Sequence, residues 1–315
     1  MGSPPYISVA HTFIDDIVFP SGKTCMAVLG GGGIHAAAGI RVWDERPGLI
    51  GAAGSDIPDN ARQRLLTDFD CEGIAWLDVP QLRGWQLFEA DNRRTEVLRV
   101  TPQGLFERDP LPLLCPKAYN NAQAVTILNW GANFLKWRAH FPNAILLWEP
   151  NQGYMTAENR EEFQRVLPAA DIVSPNLVEA RQVYGSHSPE DLVQQMLDDG
   201  AQVVALRMGE TGSLVSQRGT NELLHVPAIP VAQIEDQTGA GNAYCGGFLV
   251  GWNRTRNLRE ASCYGAVSAS FALESIGPIR IDERTHTQRE KRYAWISERI
   301  EVSPTLPRIR GPLQK

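Results

Sequence analysis

The sequence predicts an α/β fold: a mainly parallel central sheet with helices on both faces. Two observations carry that expectation. Apolar, β-branched-rich runs alternate with helical patterns along most of the chain, and no internal repeat or low-complexity segment interrupts them. Strand–helix alternation implies crossover units, which cover a parallel sheet on both sides.

The elements follow in order. Strands are expected at residues 7–14, 49–53, 124–129, 144–149, 171–174 and 202–207, where apolar runs are short and bounded by polar or turn residues. Helices are expected at 33–42, 58–69, 156–167, 177–184 and 189–199. The last is the best signalled: Ser188 can cap it, Pro189 occupies its first position, Glu190 and Asp191 suit its positive end, and Gly200 stops it. One region breaks the alternation. Residues 85–90 and 95–100 flank the polar run Asp91-Asn92-Arg93-Arg94, which reads as a β-hairpin. Such an insertion either extends a sheet edge or projects as a lid. A lid is preferred, because Pro20-Ser21-Gly22 breaks the chain similarly after the first strand. From Asp282 the chain is charged and helical to about Arg299, and residues 301–315 then read as a surface tail.

Composition narrows the function classes. The chain has 315 residues, 43% of them hydrophobic, and a formal charge of −6. That length buries a large core without staples, and mild acidity argues against a nucleic-acid partner. No run approaches a membrane span, and the start lacks signal-peptide features. The five cysteines are scattered without a C-x-x-C pair, as in a reduced, cytoplasmic protein.

The strongest chemical signal is Glu235-Asp236-Gln237-Thr238-Gly239-Ala240-Gly241-Asn242, small residues leading into an apolar helix that ends near Trp252. Amides at such a helix start point outward, and the helix dipole favours an anion there. The same residues could also be an ordinary glycine-rich turn before a packed helix. Further glycines at Gly30-Gly31-Gly32-Gly33 could form a tight strand-to-helix turn, and Gly209–Gly212 a hairpin turn. Asn176 and Glu179 have the spacing of a helix cap, which also occurs at Asn159/Glu162 and Asn257/Glu260. The Asn176 copy differs in following an apolar strand directly.

Taken together these segments resemble the ribokinase-like (phosphofructokinase-B-type) carbohydrate kinases. Asp236, Thr238, Gly239, Ala240 and Gly241 match the family pattern D-x-T-G-A-G-D. The base position that is usually Asp is Asn242. The resemblance implies a ribokinase-like fold spanning 1–315 as one α/β domain, with a lid from segments near 15–28 and 84–101. It implies ATP and Mg²⁺, transfer of phosphate to a hydroxyl of a sugar or nucleoside-like molecule, and an anion hole at Gly239, Ala240 and Gly241. Asp15, Gly32, Gly33 and His35 would contact the acceptor, His35 standing where the family usually has Asn. Asn176, Gly209, Thr211, Gly212 and Thr238 would border the nucleotide, and Glu179 and Asp236 the metal. A monovalent cation and a homodimer through the lid are further expectations of the resemblance. With Asn242 in the base position, Asp236, Asp15 or His35 are candidates to take the proton. The alternative is a kinase-fold protein that binds sugar or nucleotide without turnover.

Overall fold

The computed structural model describes residues 3–90 and 94–303. The apolar run at 7–14 divides. Residues Tyr6–Val9 (β1) join the main sheet, and Phe13–Val18 (β2) leave it for a second sheet. The bend between them is pinned by hydrogen bonds: the Ala10 and Thr12 amides donate to Ile50 and Ala52, and the Thr12 hydroxyl also donates to Ala52 at 2.7 Å. An alternating apolar pattern continues through that bend, so periodicity alone merges the two strands.

The chain proceeds through Thr24–Gly30 (β3), Gly32–Arg41 (α1), Gly48–Gly54 (β4), Asp59–Asp68 (α2), Asp70–Leu77 (β5), Arg83–Phe88 (β6), Arg94–Leu98 (β7) and Ala124–Asn129 (β8). It continues through Gly131–His140 (α3), Ile145–Pro150 (β9), Arg160–Val166 (α4), Ile172–Val173 (β10), Leu177–Tyr184 (α5), Pro189–Asp198 (α6), Val203–Arg207 (β11), Ser213–Gln217 (β12) and Leu223–Val226 (β13). It ends with Ala240–Thr255 (α7), Leu258–Leu273 (α8), Glu283–Ser297 (α9) and Glu301–Ser303 (β14).

The main sheet has the order β14-β13-β12-β11-β10-β9-β8-β1-β4-β5, parallel from β11 to β5 and antiparallel at the β14 end. Its inner parallel strands are almost wholly buried, as expected of strands covered on both faces, while the edge strand β5 is only partly so. One apolar layer joins the sheet to α1, α2, α7, α8 and α9; another joins it to α3, α4, α5 and α6. The fold is therefore the predicted α/β arrangement. The second sheet, β3-β2-β6-β7, is small and mostly antiparallel, with β2 and β6 parallel. It includes both segments read as the lid.

Several local expectations change. The helix expected at 156–167 is α4 flanked by two single 3-10 turns. Of the expected tail, residues 301–303 form β14, an edge strand on β13, because Glu301 and Ser303 pair with His225 and Leu223. Residues 304–315 and the hairpin-turn residues 91–93 lie outside the described residues. Among the described residues no helix is long and apolar enough to cross a membrane.

Helix α7 sets the position of the glycine-rich segment. Ten of its sixteen residues, Ala243–Trp252, are buried. Gly247 and Gly251 let α8 approach it closely: a Cβ at Gly251 would lie 2.7 Å from the Ala261 Cα. The N-terminal end of this locked helix opens at the carboxyl ends of the parallel strands.

Candidate active site

A cleft of about 1330 Å³ lies between the small sheet and the carboxyl ends of the parallel strands. Open α/β sheets place ligands at that end, where helix starts and strand ends converge. Three groups of residues face the cleft: the starts of α1 and α7, the polar ends of β9 to β11, and the inner face of the small sheet.

The start of α7 fits an anion. Gly239 adopts a left-handed backbone, φ +78°, and a Cβ there would overlap the His35 ring. Only glycine combines that turn with that neighbour. The Ala240 amide donates to Gln237 and that of Ala243 to Gly239, while those of Gly241 and Asn242 have no intramolecular acceptor among the described residues. Two free N–H groups and the positive end of a sixteen-residue helix thus point toward the cleft. The start of α1 abuts them, since a Cβ at Gly32 would lie 2.9 Å from Asn242 Nδ2.

Behind this cradle is a charged network. Asn242 Nδ2 donates to Glu149 Oε1 at 2.9 Å, and Arg207 Nη1 reaches the same oxygen at 2.7 Å. Arg207 Nη2 donates to the Ser174 carbonyl at 2.8 Å and stands 3.8 Å from Glu179. Burial works against the Arg207 charge, but Glu149 and then Glu179 outweigh it, so its pKa is raised and it stays protonated. Gly241 packs so closely on this guanidinium that a Cβ would overlap it. Asn176 and Glu179 form a reciprocal cap on α5: the Glu179 amide donates to Asn176 Oδ1 at 2.9 Å, and the Asn176 amide to Glu179 Oε2 at 2.8 Å. Burial raises the Glu179 pKa.

The opposite end of the cleft belongs to the small sheet. Asp15 Oδ1 accepts from Gln86 at 2.8 Å, and Gln86 also reaches Glu96. Burial raises the Asp15 carboxyl to about 7. His35 is buried, with neither ring nitrogen hydrogen-bonded, and burial pushes it down to about 3. It is a neutral ring beneath Gly239, and a weak base.

The cleft therefore gathers Asp15, Gly32, His35, Asn176, Glu179, Gly209, Thr238, Gly239, Gly241 and Asn242 of the residues singled out in the sequence. The others are set back from it. Gly33 packs on Ala10, and Ala240 against the apolar layer. Thr211 and Gly212 close the turn between β11 and β12, the Thr211 hydroxyl donating to Met208. Asp236 lies behind the glycine turn, its Oδ1 accepting the Thr238 amide at 2.8 Å. Asp236 Oδ2 and Thr238 Oγ1 are sealed from solvent with no partner, and burial raises the Asp236 pKa. Glu149 and Arg207 are cleft residues that the motifs do not contain. A signal was present: each is a charged residue at the end of a strand otherwise apolar, where solvent cannot explain it.

Comparison with known proteins places the fold. The fold is ribokinase-like. A putative ribokinase II from Escherichia coli, solved with ATP and Mg²⁺, superposes with a TM-score of 0.75 at 17% identity, over 93% of this chain and 99% of the other. Residues 147–285, which include α7 and the charged network behind it, match the pfkB family carbohydrate kinase family. An uncharacterized protein of Schizosaccharomyces pombe is 28% identical over 318 residues, covering 86% of this chain and 85% of its own. A cytidine kinase of Thermococcus kodakarensis is 24% identical over 280 residues, covering 86% of this chain and 96% of its own.

Proposed function

We propose that this protein transfers phosphate from ATP to a hydroxyl of a sugar or nucleoside-like molecule. The observation that carries the reading is the pair of free amides at the start of α7, which open onto the same cleft as Asp15. An anion cradle and a hydroxyl-binding carboxylate at one site are what phosphotransfer to an alcohol requires, because its catalysis rests on positioning and charge stabilisation. The pfkB match and the cytidine kinase relative support it. Asn176, Gly209 and Thr238 border the nucleotide end, and Asp15, Gly32 and His35 the acceptor end.

The donor set fits Mg²⁺ brought in with the nucleotide. Glu179 is the carboxylate beside the cleft on that side, and among the described residues no cluster of three or more His, Cys, Asp or Glu could cage a metal. Such a metal keeps its waters and phosphate ligands, and neutralises phosphate charge. The unpartnered oxygens of Asp236 and Thr238 fit a monovalent cation that would hold the glycine turn from behind. The exposed β7 strand, with Val97 and Leu98 open to solvent, supports pairing of two small sheets in a homodimer, which a solution mass measurement tests.

The decisive experiment incubates purified protein with ATP, Mg²⁺ and a panel of sugars and nucleosides. Formation of ADP together with a phosphorylated acceptor is the expected result. Asn242 favours a second reading, binding without turnover, since an amide cannot take the hydroxyl proton. Thermal stabilisation by ATP with no product from any acceptor, together with gain of turnover in Asn242→Asp, would establish that reading.

A further inference from the structure

A carboxylate is missing from position 242, yet one stands beside it. Glu149 ends β9 at the cleft, only 4% exposed. Its Oε1 accepts from Asn242 at 2.9 Å and is ion-paired with Arg207 Nη1 at 2.7 Å. Its Oε2 has no hydrogen-bond partner among the described residues, and it is not among the polar atoms sealed from solvent. Since Glu149 lines the cleft, that oxygen opens onto it.

The other candidate bases are placed less well. Asp236 lies behind the glycine turn and outside the cleft lining. Asp15 is tied to Gln86 on the small sheet. The ring nitrogens of His35 are sealed. Glu149 is the carboxylate in direct contact with Asn242.

We propose that Glu149 is the proton acceptor of this site, its Oε2 taking the proton of the acceptor hydroxyl while Asn242 and Arg207 position it. The proposal rests on the phosphotransfer reading. In the step, the acceptor oxygen bonds to the γ-phosphorus of ATP. The bond from that phosphorus to the β-phosphate oxygen breaks, its electron pair leaving with ADP. The hydroxyl proton passes to Glu149, which later returns it to water.

This arrangement explains the amide at 242. An aspartate there would put two carboxylates in hydrogen-bond contact, and like charges that close hold a proton between them. Asn242 instead donates to Glu149 and fixes its orientation. The Glu149–Asn242 pair is thus the usual carboxylate with its position exchanged, and Arg207 balances the single charge. The exchange predicts that the two side chains can be swapped.

The test uses Glu149→Gln, Asn242→Asp and the double variant Asn242→Asp/Glu149→Gln, assayed on an acceptor that the wild type phosphorylates. Glu149→Gln should lose about 10²–10⁴-fold in kcat, the usual cost of a general base. Its nucleotide Kd should stay within about threefold, a change too small to count as lost binding. The acid limb of the pH–rate profile should vanish with it. Asn242→Asp alone should give no gain. The double variant should recover at least about tenfold over Glu149→Gln, equivalent to one decade of barrier. It keeps the charge around Arg207, so it decides the matter if Glu149→Gln leaves that buried cation unpaired and fails to fold.

A Glu149→Gln enzyme within about threefold of wild-type kcat overturns the proposal alone, as does a folded double variant with no recovered turnover. A wild type that binds nucleotide but phosphorylates no acceptor overturns the phosphotransfer reading and the base assignment together.

Discussion

The contact between Gly239 and His35 joins the anion cradle to the buried core. With φ at +78° and the imidazole directly beneath, Gly239→Ala adds both backbone strain and overlap. We expect it to cost about 1–3 kcal/mol of stability, read from urea midpoints, and to abolish turnover. Adding His35→Ala should recover the part due to overlap and leave the backbone part. Recovery of none would mean that the ring is not the obstacle. Residues in this turn were legible because their small size and order are themselves the signal. Glu149 was not. It lies 93 positions from Asn242, in an apolar strand, and only the fold brings the two into contact. The nature of residue 242 was plain in the sequence, but its partner required three dimensions.

Among the elements, α5 and α6 allow a controlled comparison. Asn176 caps α5 at the cleft, and Ser188 caps α6 away from it, with bonds of 2.9 and 3.1 Å. Replacing either with alanine should cost about 0.5–2 kcal/mol of stability. Only Asn176→Ala should also weaken nucleotide binding, measured by calorimetry. Equal nucleotide affinity in the two variants would make the Asn176–Glu179 pair a cap and nothing more. Elements with local punctuation were read well. Strand β8 and helix α5 fall at their expected bounds, because apolar runs there end at polar or capping residues. Strands β3, β5, β12, β13 and β14 were missed: β3 and β5 are only partly buried and lack a continuous apolar run, and the other three are five residues or fewer and pair with neighbours whose register is not written locally. Helices α3 and α8 were missed as well. The first is rich in aromatic and small residues with little amphipathic pattern, and the second is buried nearly all round.

At the level of the whole molecule, the buried Asp15 makes stability depend on pH. Its folded pKa is raised from 3.8 to about 7, so between those values the folded chain holds a proton that the unfolded chain has released. This group's contribution therefore falls as pH rises through that window, by up to about 4 kcal/mol. Asp15→Asn keeps an oxygen to accept from Gln86 and removes the titration. Urea unfolding from pH 4 to pH 8 should show the variant gaining on the wild type as pH rises. Parallel curves would place the Asp15 carboxyl in a wetter setting. The α/β architecture was evident from strand–helix alternation alone, whereas the passage of β2 out of the main sheet was not, since a bend held by backbone hydrogen bonds leaves no mark on periodicity. The seam between α7 and α8 also makes the pair of free amides at the start of α7 the tip of a rigid lever. Gly251 lies ten residues along α7 from Gly241, roughly 15 Å at the helical rise. A side chain there would press on Ala261 and tilt the far end without touching any ligand. The aim of the α7 amides into the cleft is therefore written partly into glycines that lie outside the cleft lining.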